Sequence, residues 1–175
     1  MKRVSVVVLV AMLFIAVATS FAQMGPPAPE LKKLDYFTGT WSMDGDVKPG
    51  PMGAGGKNTG TDKYEWMDGK YFMVSHATHS GVMGEGTETA YYGYDANKKV
   101  YTYDSFSSMG EHNIATATID GDTWTWLFDV PMGNMTMKGR FVMKTTSATS
   151  YTYKLEFSQD GTSWNLVMDG KATKK

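Results

Sequence analysis

Cysteine is absent from the 175-residue chain, and that zero excludes several things at once. No disulfide staples the fold, no thiolate serves as nucleophile or metal ligand, and no lipid-anchoring cysteine follows the apolar N-terminal run. Arginine is almost as scarce, with Arg3 and Arg140 the two present, and lysine forms no cluster or stripe. Phosphate backbones are bound by several clustered cations, so the composition argues against nucleic acid as a partner. Histidine occurs only at His76, His79 and His112. No Gly-x-Ser-x-Gly elbow presents a serine nucleophile. The glycines Gly53, Gly55 and Gly56 lack the strand–turn–helix setting and the Lys-Ser/Thr of a phosphate loop.

Long apolar runs are confined to the N-terminus. Lys2 and Arg3 precede a nearly continuous apolar stretch from Val4 to Val17, and Ser20-Phe21-Ala22 supplies the small residues of a signal-peptidase site. The stretch is shorter than the roughly 20 residues that span a bilayer comfortably. Residues 1–22 are therefore read as a signal peptide and the mature chain as beginning near Gln23. The protein is then periplasmic or secreted, with no stable membrane anchor after cleavage. Setting aside Lys2 and Arg3 leaves 15 basic against 18 acidic residues in the remaining 153. That length suits a single domain with one core.

What is present is aromatic and alternating. Residues 23–29 form a Pro-rich, flexible lead-in with little to bury. In Glu30 to Phe37, Leu31, Leu34 and Phe37 recur every third residue and predict a short helix, stable only when docked. From Gly39-Thr40-Trp41 onward the period is two. Tyr64 and Trp66 alternate with charged residues before Asp68-Gly69, which suits a type I′ turn. Further segments alternate likewise: Thr87 to Tyr94, Val100 to Phe106, Asn113 to Ile119, Trp124 to Val130, Met135 to Met143, Tyr151 to Phe157 and Trp164 to Met168. Asp95, Asp120 and Asp160 mark the turns between them. The one long connection, Lys48 to Asn58, is read as an insertion between the first two strands, with a flap over a cavity mouth as the alternative. About ten strands on short connections predict an all-β, closed antiparallel up-and-down β-barrel, because closure removes both exposed edges. The domain occupies residues 30–175, with the short helix at its start and Trp41 as the plug for one end.

Four segments in this order are similar to a known bacterial family. They are Leu34-Asp35-Tyr36-Phe37-Thr38-Gly39-Thr40-Trp41, Tyr92-Gly93-Tyr94-Asp95-Ala96-Asn97-Lys98-Lys99-Val100-Tyr101, Asp104-Ser105-Phe106-Ser107-Ser108-Met109-Gly110 and Ser158-Gln159-Asp160-Gly161-Thr162-Ser163-Trp164. Together they resemble the family catalogued as domain of unknown function 1579. That resemblance implies a calycin-type barrel, akin to lipocalins, fatty-acid-binding proteins and nitrobindins, with a ligand-binding shape and no catalytic residues to carry over. In lipocalin-like barrels the Gly-x-Trp tryptophan packs across the closed end, often under a basic side chain. The resemblance assigns the first role to Trp41 and makes Arg140 a candidate for the second. Nitrobindins hold haem through a histidine near the C-terminus, and this chain has none after His112.

Tyr92, Tyr94, Trp126, Tyr151 and Tyr153 lie on strand faces that can all point inward, and rings with polar tips suit an apolar ligand bearing one or two polar groups. With Arg140 as anchor for an anionic head, these six are the expected binding residues of a small apolar or amphipathic molecule. No cofactor is expected. Alternatives are an enzyme with His76 or His112 as base, and copper or haem handling. His76-x-x-His79, with His112 near Met109 and twelve methionines after residue 22, offers copper(I) donors. Residues three apart on a strand face opposite sides, so the pair converges only at a strand end or bulge. Glu88 and Asp104 share strands with aromatics and are read as solvent-facing ahead of ligand anchors. The signal-peptide reading has a direct check: the exported chain, examined by intact mass, should begin at Gln23, and retention of residues 1–22 would refute it.

Overall fold

The computed structural model describes residues 25–51 and 53–175. The signal-peptide reading thus falls outside the described residues. A 3-10 helix runs over Pro29–Phe37 and is followed by ten strands. They are β1 (Gly39–Val47), β2 (Gly56–Trp66), β3 (Met73–Gly81), β4 (Gly86–Asp95), β5 (Val100–Ser107), β6 (His112–Asp120), β7 (Thr123–Met132), β8 (Met135–Ser147), β9 (Ser150–Ser158) and β10 (Asn165–Lys174). Each strand pairs antiparallel with its sequence neighbours, and β1 pairs with β10 to close the barrel. The expected architecture is therefore the one observed.

The local reasons are visible in the burial pattern. On β9, Tyr151 and Tyr153 are buried while Thr152 and Lys154 face solvent, and β2 buries Asp62 and Tyr64 between exposed Lys63 and Glu65. Such strict alternation is the signature of a sheet with one dry face. The three-residue spacing of Leu31, Leu34 and Phe37 matches the 3.0-residue turn of a 3-10 helix better than that of an α-helix, so all three eclipse on one side. All three are buried. Pro29 opens the helix, where its missing N–H is no loss. Upstream, the Tyr71 hydroxyl donates to the Gly25 carbonyl at 2.6 Å.

Two expectations about connections are corrected. Gly56, Lys57 and Asn58 belong to β2, paired with Val47, Asp46 and Gly45, so the long connection shrinks to residues 48–55. It is a turn closed by the Gly50–Gly53 pair and tied down by Lys48, whose ammonium meets Asp169 at 2.6 Å. At Asp68-Gly69 the expected turn forms, closed by Lys70 N–H on the Met67 carbonyl at 3.0 Å, but it is not type I′, because Asp68 keeps a negative φ. Gly69 and Lys70 carry the positive φ angles, within a longer loop closed by Met67 N–H donating to the Phe72 carbonyl.

One end of the barrel is filled. The helix lies across it, and Leu34, Phe37, Trp41, Tyr101, Trp124 and Tyr151 pack there with at most 5% exposure. The Trp41 indole N–H donates to the Phe37 carbonyl at 2.6 Å, so the plug residue also fastens the helix. Lys174, on the last strand, sits 5.5 Å from the Trp41 ring centre. Gly39 has φ +107°, and a β-carbon there would lie 3.1 Å from the Lys174 stem, which explains the glycine of Gly39-Thr40-Trp41. The basic partner of the plug is thus Lys174, and the expectation for Arg140 is corrected. Trp41→Ala should lower stability by about 3–5 kcal/mol in urea unfolding, whereas Lys174→Met, which removes a half-buried cation–π contact and the ammonium donation to the Tyr36 carbonyl, should cost about 1–2 kcal/mol.

Candidate ligand cavity

The other end is not filled. Above the plug lies a cavity of about 460 Å³, walled by residues of all ten strands and reaching Met83 and Met109 in the connections at the open end. Its walls are mainly aromatic and thioether: Tyr64, Tyr92, Tyr103, Trp126, Phe128, Phe141, Tyr151 and Tyr153, with Met43, Met143 and Met168. Room is left because small residues alternate with these rings. Ala77, Ala115 and Gly60 line the cavity, while Ser75, Ala90 and Ser105 are fully covered between larger neighbours. At the β1–β10 seam, Gly45 pairs with Gly170, and a β-carbon on either would meet the Tyr153 hydroxyl at 2.5 Å. The missing side chains are what let that ring lie across the seam.

Two carboxylates enter this apolar space. Glu88 accepts from the Tyr103 hydroxyl at 2.6 Å and from Ser105 at 3.1 Å. Asp62 is 9% exposed and accepts from the Tyr64 hydroxyl at 2.9 Å through one oxygen, while its other oxygen, Oδ1, has no donor. Burial pushes the Asp62 carboxyl up to about 6; the Tyr64 hydrogen bond opposes the rise, the Glu88 charge adds to it, and Ser75 opposes it weakly. Burial likewise drives the Tyr64 and Tyr92 hydroxyls well above their ordinary range and takes Tyr153 up to about 12, so these phenols act as neutral donors. Among the described residues of the wall there is no lysine or arginine; His79 is the sole basic type.

The expected binding residues divide. Tyr92, Trp126, Tyr151 and Tyr153 line the cavity. Tyr94 has the right parity but lies at the plugged end, 5.0 Å from the Tyr101 ring, and so does not line it. Arg140 is corrected outright. It faces outward opposite Glu156, bonds it at 2.6 Å and lies 4.3 Å over the Trp164 ring. Its parity is opposite to that of Phe141 and Met143, which point inward, so it cannot anchor a ligand inside. Asp104 also faces outward, paired with His112 at 2.7 Å. Glu88, read as solvent-facing, points inward.

The histidines do not assemble. β3 pairs without a bulge along its length, so His76 stays outside with Thr89 while His79 turns to the cavity mouth. No group of three metal-ligating His, Cys, Asp or Glu side chains exists among the described residues. Turn aspartates have structural duties: Asp95 accepts from the backbone of Asn97 and Lys98, and Asp160 from Thr162, Ser163 and Ser158, which holds its carboxyl far below the usual range.

A family model described as protein of unknown function (DUF1579) matches residues 26–174. The chain belongs to the DUF1579 family. The crystal structure of Rv2717c from M. tuberculosis is similar to this DUF1579 barrel at a TM-score of 0.58, with 14% identity over 85% of this chain and 99% of that one. That likeness concerns the fold alone. The structure of EF1p2_mFAP2b bound to DFHBI matches at a TM-score of 0.40 and 14% identity over 83% of this chain and 98% of that one. No curated protein matches the chain.

Sequence reasoning missed Asp62. The signal was there, since Asp62, Tyr64 and Trp66 share one parity and a tyrosine known to face inward carries Asp62 with it. A carboxyl whose folded pKa is raised opposes folding as pH climbs from its ordinary value to the raised one. Asp62→Asn in this DUF1579 protein should therefore raise stability near pH 7 by up to roughly 3 kcal/mol, a gain that vanishes below about pH 4. Urea unfolding of both proteins at the two pH values checks this, and a destabilised variant at neutral pH would contradict it.

Proposed function

We propose that this protein is an exported binding protein that holds one small, largely apolar or amphipathic molecule inside its barrel. The observation that carries the reading is the cavity of about 460 Å³ above a filled end, walled by aromatic rings and methionines. Pockets for small ligands run to about 300–1,000 Å³ and combine apolar walls with a few placed polar groups. Tyr92, Trp126, Tyr151 and Tyr153 supply walls of this kind, and Asp62 and Glu88 the polar points. Methionine suits a wall that must adapt to the occupant, having three rotatable bonds and a polarisable sulfur. Export to the periplasm or beyond rests on Lys2, Arg3, the apolar run and Ser20-Phe21-Ala22.

The test is a titration with prodan, a neutral naphthalene fluorophore. Saturable binding at one site is expected, with energy transfer from tryptophan because Trp126 stands in the wall. Ala115 lies between Tyr103 and Phe128 in the pairing across β5, β6 and β7. Ala115→Phe, confirmed folded by circular dichroism, fills that part of the cavity and should weaken binding at least about tenfold. Absence of saturable binding to the parent protein would overturn the reading.

A further inference from the structure

We propose that the ligand of this cavity carries a protonated nitrogen, and that this cation seats between Asp62 and Glu88 with its apolar body toward the open end. The inference rests on the binding reading above and specifies its ligand class. Register places the two carboxylates in one row: Asp62 on β2 is opposite Ala77 on β3, and Ala77 is opposite Glu88 on β4. Their backbones are thus two strand spacings apart, about 10 Å. The side chain between them is a methyl group. All three residues line the cavity, so the gap between the carboxyl groups opens into it.

The hydrogen-bond inventory of this row is one-sided. Asp62 Oδ1 is buried with no donor, and Asn58 Oδ1, two inward positions along the same strand toward the open end, is buried with none either. The native rule is that buried acceptors are paired, and an ammonium or amidinium group brings several donors and no acceptor. Charge points the same way. Asp62, Glu88 and Glu111 line the cavity without a lysine or arginine among the described wall residues, so an anionic head meets repulsion and no partner. Next to the carboxylates the rings of Tyr64, Tyr92 and Tyr103 stand in sequence, with centres 5.7 Å and 5.1 Å apart. Their faces attract a desolvated cation. Among the described residues, Glu88 is the other charge that acts on Asp62, and Asp62 in turn acts on the Tyr151 hydroxyl.

The experiment uses three probes of one length and three head groups: decylammonium, decanol and decanoate, titrated by calorimetry into the mature protein at mildly alkaline pH. Decylammonium is expected to bind about tenfold or more tightly than decanol, and decanoate most weakly. Asp62→Asn, a change that relieves burial of a charge, should weaken decylammonium about tenfold more than it weakens decanol. Glu88→Gln is a second, independent variant expected to act in the same direction. Equal binding of all three probes, or tightest binding of decanoate, overturns the cation assignment while the binding reading stands. Unchanged decylammonium affinity in both variants does the same. If prodan binds and none of the three probes does, the assignment also falls. If prodan and all three probes fail together, the binding reading itself is lost.

Discussion

Seven residue pairs between Trp41–Val47 and Met168–Lys174 close the sheet, and the interior exists because they do. An open ten-stranded meander has two edges and two wet faces, and nothing distinguishes the alternate residues of its strands. Closure turns alternation into inside and outside. The same seam carries the parts that define the interior. Trp41 and Lys174 meet at the plugged end, Gly45 and Gly170 make room for Tyr153 midway, and Val47 and Met168 finish the seam near the open end. Loss of this pairing would remove the plug, the ring across the seam and one wall of the cavity together.

The interior is divided by side-chain size. Towards the plug, large residues from the helix and from opposite strands meet and exclude space. Trp41, Phe37, Trp124, Tyr101 and Tyr151 are in mutual contact there. Further along, alanine, glycine and serine take alternate inward positions, and the rings that remain no longer reach across. A ten-stranded barrel is wider than one that eight strands enclose, so an end without large residues stays hollow. The helix settles which end that is, because its three apolar side chains cover one opening.

Most of the fold was legible because period-two burial is written residue by residue. The ten strands follow from it, the helix follows from the three-residue spacing of Leu31, Leu34 and Phe37, and the plug role of Trp41 agrees with the family resemblance. The site was legible only in part. Parity separates inside from outside but does not say how far along the barrel a residue lies. Tyr92 and Tyr94 share a face, yet one lines the cavity and the other is in the plugged end. Depth is set by register across several strands, which no single segment records. Arg140 shows a different failure. Its own parity, opposite to that of Phe141 and Met143, places it on the outer face, where it pairs with Glu156 and cannot serve the interior. Asp62 was passed over because a charge beside Tyr64 reads as solvent-facing until the strand is counted through. Met83, Met109 and Glu111 come to the cavity from connections at the open end, where alternation gives no guidance.

The barrel has one filled end, and that has a kinetic meaning. Whatever occupies the interior arrives and departs through the same mouth, past Met83 and Met109. Asp62 lies opposite Trp41 in the β1–β2 pairing, at the deep end of that path. A cation bound for it would meet Glu111 and the Asn58 carbonyl first and shed the rest of its water among methionine and aromatic side chains. The barrier lies on the way in and again on the way out. If the interior holds a ligand, a deep polar contact of this kind would slow its exchange relative to a contact at the rim alone.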